Sequence, residues 1–163
     1  MRTPLIVALL ASLLVACAGY APPKDMHVGM PEAEVVQAMG QPTGRYPLPD
    51  GAVRLEFARG PYGFETFMVD LDAQGRVLKW EQVLDRWHFD AVIPGMTSEQ
   101  LLRYIGRPSE QMGMMRDGKI WTYRYFNNDC LIWYAQLDAK GVITAAGYGP
   151  RHGCDGAAER GVR

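Results

Sequence analysis

Three short motifs recur in this chain at one constant offset of 66 residues. Gly29-Met30 returns as Gly95-Met96, Gly40-Gln41-Pro42 as Gly106-Arg107-Pro108, and Leu71-Asp72-Ala73-Gln74-Gly75 as Leu137-Asp138-Ala139-Lys140-Gly141. Matches in one frame, with no gap between them, imply a duplication, and a duplication fixes the architecture: whatever one unit builds, the other builds again. The two units run over residues 29–84 and 95–150.

Each unit opens on a helix signal. Thr97 with Gln100 forms a capping-box pattern, and in the first copy Pro31 occupies a helix start that tolerates a missing N–H. Val35, Val36 and Met39, and likewise Leu101, Leu102 and Ile105, fall on one helical stripe. Gly40 and Gly106 supply a left-handed C-terminal residue, and Pro42 and Pro108 prevent continuation. The pattern then changes to period two, with Val53, Leu55 and Phe57 followed by Phe67, Val69 and Leu71. Asp50-Gly51 and Asp117-Gly118 mark the turn before the strands. Asp72 to Gly75 and Asp138 to Gly141 close hairpins. The predicted fold class is α+β: two tandem repeats, each a short helix or helix pair packed on an antiparallel sheet of about three strands.

Because the offset is even, side-chain parity carries over from one copy to the other. Trp121, Tyr123, Trp133 and Leu137 share the parity of Leu55, Phe57, Phe67 and Leu71, so all are predicted to face the helices as core. On the opposite face the first copy presents Arg54, Glu56, Thr66 and Asp70, a solvated pattern with Phe64 and Met68 as exceptions. The second copy places Ile120, Phe126, Ile132 and Tyr134 there, mixed with Thr122, Arg124 and Gln136. An apolar and aromatic patch on a sheet face is ordinarily covered. Burial against the first repeat is the first expectation and a protein partner the second. In the latter case Ile120, Arg124, Phe126, Ile132 and Tyr134 are the candidate partner-binding residues, Tyr134 and Arg124 being types enriched at hot spots.

The N-terminal residues set an address. Leu5 to Ala16 is almost wholly apolar over about twelve residues, the length of a signal-peptide core and short of the ~20 needed to span a bilayer. It ends in Leu14-Val15-Ala16-Cys17, which resembles the lipobox of bacterial lipoproteins. That resemblance implies a signal peptide over 1–16, lipidation of Cys17, and a tether over 17–28. Ala18, in place of the Asp often found after the cysteine of inner-membrane lipoproteins, points to the periplasmic face of the outer membrane. With Cys17 acylated, Cys130 and Cys154 remain as an even pair in an oxidising compartment, which favours a disulfide. Residues 151–163 read as a polar tail.

Composition narrows the function classes. The chain has 17 Lys+Arg and 18 Asp+Glu, a net charge of −1, and losing Arg2 with the leader makes this 16 against 18. No basic stripe is available for nucleic acid, so the membrane is reached through the lipid anchor. His27, His88 and His152 are isolated, and no nucleophile elbow, paired-histidine zinc motif or phosphate loop occurs. His152-Gly153-Cys154 could supply half a zinc site, but further donors are missing. No cofactor, metal or catalytic residue is expected, and binding is favoured over catalysis.

Gly-Met, a polar helix start, an apolar helix, Gly-x-Pro and then Trp121-Thr122-Tyr123 together resemble the SmpA/OmlA family of BamE-like outer-membrane lipoproteins. The tandem form is similar to the fold of beta-lactamase inhibitor protein. The likeness is stronger in the second unit, Ile93 to Tyr148, than in the first, Gly29 to Val83. It implies a lipid-anchored periplasmic binding or scaffold lipoprotein in outer-membrane protein assembly or envelope integrity, with barrel-assembly components as candidate partners. The alternative it implies is an inhibitor-like binder of a periplasmic enzyme or peptide. Of the matching positions, only Cys17 carries a functional role across.

Overall fold

The computed structural model describes residues 22–60 and 62–153; the expected signal peptide, Cys17 and Cys154 lie outside the described residues. Within them the 66-residue offset holds element by element. Helix α1 (Glu32–Met39) is answered by α3 (Ser98–Ile105). Strands β1 (Gly44–Pro47), β2 (Val53–Ala58), β3 (Thr66–Leu71) and β4 (Val77–Gln82) are answered by β5 (Glu110–Gly113), β6 (Lys119–Arg124), β7 (Leu131–Leu137) and β8 (Ile143–Pro150). A short helix, α2 (Arg86–Asp90), joins the units. The protein is α+β, with two four-stranded antiparallel sheets ordered β1-β2-β3-β4 and β5-β6-β7-β8.

The repeat extends to register and irregularities. Leu55 pairs with Val69 as Trp121 pairs with Ala135, and the ladder shifts at Asp70/Leu71 as it does at Gln136/Leu137. The additional strand in each sheet, β1 or β5, spans four residues and ends on Pro47 or Gly113. Such a segment shows no alternation to read, and an edge strand tolerates proline because one side of it needs no ladder donor. The turn before β6 falls one residue earlier than Asp117-Gly118 suggests. Arg116 (φ 62°) and Asp117 (φ 59°) take the left-handed positions that Asp50 (φ 59°) and Gly51 (φ 75°) occupy in the first unit.

Local chemistry explains the helices. The Thr97 hydroxyl accepts from Gln100 N at 3.2 Å, and the Gln100 side-chain oxygen accepts from Thr97 N at 2.8 Å. Such a cap is worth about 1 kcal/mol. Helix α1 lacks a side-chain cap at Pro31 and instead carries Glu32 and Glu34 in its first turn, where carboxylates favour the helix dipole. Both helices end on glycine, at φ 82°, ψ −172° for Gly40 and φ 80°, ψ −168° for Gly106. Positive φ with extended ψ is essentially glycine-only. It sends the chain straight from the helix into the edge strand, where a left-handed helical residue would have turned it.

The predicted core is where parity puts it. Val35 and Met39 pack with Leu55, Phe57, Val69 and Leu71 in one cluster; Leu101 and Ile105 pack with Trp121, Tyr123, Trp133 and Leu137 in the other. Val36, Leu102 and Phe67 are only partly buried. Helix α2 adds Phe89 to the second cluster, stacked on Trp133 with centroids 4.9 Å apart and the rings 7° from parallel.

The outer face of the first sheet corrects the sequence expectation. Arg54, Glu56, Thr66 and Asp70 are not a solvated set: Glu56 is 0%, Thr66 2% and Asp70 6% exposed, with Met68 at 1%. The C-terminal half of α3 lies over them. Met68 joins the second unit's cluster, and a Cβ on Gly106 would meet Thr66 Cγ2 at 3.0 Å and Glu56 Cδ and Met68 Cε at 3.1 Å. The units thus stack head to tail in four layers: α1, first sheet, α3 with α2, second sheet.

Burying charge between units requires pairing. Glu56 accepts from Arg107 Nε at 3.0 Å, from Thr43 Oγ1 at 3.0 Å and from the Tyr46 hydroxyl. Arg107 also donates to the Thr43 carbonyl. Arg54 holds Asp70 through two hydrogen bonds, 2.6 and 2.8 Å, and reaches the Arg103 carbonyl of α3 at 3.2 Å. Burial, reinforced by Glu56, pushes the Tyr46 phenol well above its ordinary value and keeps it neutral.

Candidate functional site

The second sheet's outer face, equivalent to the one that α3 covers, has no helix over it among the described residues. It forms a groove of about 370 Å³ along β6 and β7, with Met112, Ile120, Thr122, Ile132, Tyr134 and Gln136 among its lining. The first-copy equivalents of Ile120, Ile132 and Tyr134 are Arg54, Thr66 and Met68, all inside the inter-unit contact. The structure therefore reverses the first expectation for this patch. The first repeat does not bury the second repeat's outer face; its own outer face is the one buried.

Strand geometry positions these side chains. Ile120 and Thr122 alternate outward on β6, and Thr122 pairs with Tyr134 and Ile120 with Gln136 on β7. Met112 enters through its pairing with Ile120 and is 58% exposed. The Tyr134 ring lies across the glycines of β8: a Cβ on Gly147 would sit 3.6 Å from its Oη, and one on Gly149 3.6 Å from its Cε1. Two missing side chains thus let the ring lie flat, and the face stays shallow and smooth. Glu110, which pairs opposite Thr122, and His152 are the ionisable side chains in its lining.

The five sequence-predicted partner residues divide. Ile120, Ile132 and Tyr134 share the groove. Arg124 instead lines a neighbouring hollow with Tyr62, Ser109 and Glu110, its guanidinium 5.4 Å from the Tyr62 ring centroid. Phe126 stacks on Phe64 at 5.2 Å while remaining 69% exposed. Both therefore bear on the 59–65 loop of the first repeat. Met112 went unread because β5 carries no alternation, although the run Met112-Gly113-Met114-Met115 is visible in the sequence. Methionine-rich edges suit adaptable contacts.

His88 and Tyr148 have structural roles. His88 Nδ1 lies 2.8 Å from the Asp85 carboxylate that caps α2, and its ring packs against Tyr104 of α3. Tyr148 donates to Asp90 at 2.6 Å, and burial together with that bond pushes its phenol up to about 12. Cys130 is disulfide-bonded; Cys154, its expected partner, lies outside the described residues. Among the described residues no group of three His, Cys, Asp or Glu side chains could hold a metal ion, and no helix is long and apolar enough to cross a membrane.

No protein-family model and no curated protein matches the chain. Among solved structures it is similar to an extracellular protein containing a SCP domain from Bacillus anthracis, at 8% identity and a TM-score of 0.32. The match covers 81% of this chain and 46% of that one, so the chain spans under half the length of its structural neighbour. A superposition that loose bears on neither fold nor activity.

Proposed function

We propose that the chain is a lipid-anchored binding or scaffold lipoprotein of the outer membrane's periplasmic face. It acts by non-covalent protein association in outer-membrane protein assembly or envelope integrity. One observation carries the reading. The outer face of the second sheet is apolar and open among the described residues, while its first-repeat counterpart is buried under a helix. Exposed apolar faces of this kind mark interaction sites. The Leu14-Val15-Ala16-Cys17 sequence supports the address, and the resemblance to the SmpA/OmlA pattern supports the class of process.

Photocrosslinking in intact cells from a benzoylphenylalanine at Tyr134, with fractionation of a Cys17→Ser variant beside it, tests both halves. Crosslinks to protein, together with loss of membrane sedimentation on Cys17→Ser, are expected; barrel-assembly components among the adducts would support assembly, and a soluble hydrolase would favour the inhibitor-like alternative. Absence of any protein adduct would remove the docking claim, and unchanged sedimentation would remove the anchor.

A further inference from the structure

Resting on that docking reading, we propose the occupant of the second sheet's outer face: helix α1 of a second copy of this chain, seated as α3 is seated on the first sheet. The internal junction between repeats is the template. By the 66-residue offset, α1 is the counterpart of α3 and the open face is the counterpart of the covered one, so a second copy offers the same helix to the same kind of sheet face.

The two surfaces have changed together. At the internal junction Glu56 is held by Arg107, Thr43 and Tyr46. The counterparts on the open sheet are Thr122 for Glu56, Ser109 for Thr43 and Met112 for Tyr46, and the counterpart of Arg107 on α1's side is Gln41. Every charge in that set is gone from both partners at once. Gln41 can still donate to the Ser109 carbonyl as Arg107 donates to that of Thr43.

Volume changes on both sides: on β7 it grows, from Thr66 and Met68 to Ile132 and Tyr134, on β5 and β6 it falls, from Tyr46, Arg54 and Glu56 to Met112, Ile120 and Thr122, and on the helix it falls from Arg103 and Tyr104 to Gln37 and Ala38. A Cβ on Gly106 would meet the first sheet at 3.0–3.1 Å, whereas one on Gly40 would meet nothing within 4 Å. Gly40 is the same close-approach position with its counter-surface missing. Such a contact is heterologous: the two faces differ, so copies join head to tail and a two-fold pair is not formed.

A mixing experiment tests this with the full chain in detergent, by sedimentation velocity up to high micromolar concentration. Tyr134→Asp blocks the sheet face and Ala38→Glu blocks the helix face. Each variant alone is expected to run as a monomer, wild type as concentration-dependent oligomers, and an equimolar mixture of the two variants as a 1:1 dimer, since each retains the face the other has lost. A cooperative melt for each variant keeps misfolding apart from lost contact. Monomeric wild type throughout, or folded variants that stay monomeric when mixed, would overturn the proposal. The Tyr134 photocrosslink separates it from the broader reading. An adduct to residues 32–42 of another copy supports self-stacking; an adduct to a different protein overturns self-stacking and leaves the docking reading intact; no protein adduct overturns both.

Discussion

Replacing Gly106 with alanine, with Gly40→Ala as its control, isolates the contact between the two units. Both glycines end a helix at nearly the same backbone angles, φ 80–82° and ψ −168 to −172°, so alanine incurs the same strain at each, on the order of 1–3 kcal/mol. The surroundings differ. At Gly40 a Cβ enters open space, while at Gly106 it meets Thr66 Cγ2 at 3.0 Å, Glu56 Cδ at 3.1 Å and Met68 Cε at 3.1 Å. The methionine methyl can swing aside. The Glu56 carboxyl is held by three donors and Thr66 sits within the sheet, so α3 itself must lift. Forcing an extra carbon into a packed interior costs about 1–3 kcal/mol, and that excess belongs to the junction alone. With a urea slope of roughly 2 kcal/mol/M, Gly106→Ala should unfold about 1 M earlier than Gly40→Ala. Thr66→Ser removes the nearest methyl, so in a double-mutant cycle with Gly106→Ala it should show favourable coupling. Equal urea midpoints for the two alanine variants, with no coupling to Thr66, would refute the head-to-tail seat of α3 on the first sheet.

Glu56→Gln leaves the site its shape but sets an amide donor against the Arg107 and Tyr46 donors; a loss of roughly 1.5–3 kcal/mol in urea unfolding is expected, and a neutral result would mean the carboxylate is not the hub between units. Tyr148 is neutral in the fold up to about pH 12 and ionises near 10 when unfolded. A raised folded value gives stability that is complete below pH 10 and is lost as pH climbs through 12. Stability should therefore fall between those limits, less steeply in Tyr148→Phe; identical slopes would contradict the Asp90 contact. Reduction of the Cys130 disulfide should cost roughly 3.5 kcal/mol if it closes the 25 residues from 130 to 154, by loop entropy, and a midpoint indifferent to reductant would exclude that loop.

The repeat made most of the fold legible, because periodicity and parity are local and each copy corroborated the other. Leu55, Phe57, Trp121 and Tyr123 face inward as alternation requires. Relations between the units were not legible. Arg54, Glu56 and Asp70 are charged residues at alternate positions, the pattern of a wet face, and nothing local distinguishes a solvated carboxylate from one held by an arginine 51 residues away. The same gap explains why the outward apolar patch was first expected to close against the first repeat. Composition showed that Ile120, Ile132 and Tyr134 need a cover, and only tertiary structure showed that the first repeat's helix faces the other way. A comparison of the copies did hold a clue. Arg107 and Glu56 are charged where Gln41 and Thr122 are not, as expected of an internal pair whose counterparts lie at two free ends.

With Cys17 acylated and copies stacked as proposed, stacking direction and anchor would constrain each other. Met26 is buried in the first core and Gly29 N bonds the Val77 carbonyl at 2.8 Å, so the fold begins earlier than the expected tether over 17–28 allows. Between Cys17 and Met26 lie the eight residues 18–25, which span at most about 30 Å. Layers of helix and sheet pack about 10 Å apart, so four layers make each copy about 40 Å long in the stacking direction. A second copy docked on the open face of a stack standing off the bilayer would hold its Cys17 about 40 Å above that of the first, beyond reach of the membrane. Both proposed anchors could enter one bilayer only if the stack lay along it. In that orientation α1 at one end and the second sheet's outer face at the other both point parallel to the lipid surface, which is the geometry a contact repeated between neighbouring anchored copies requires.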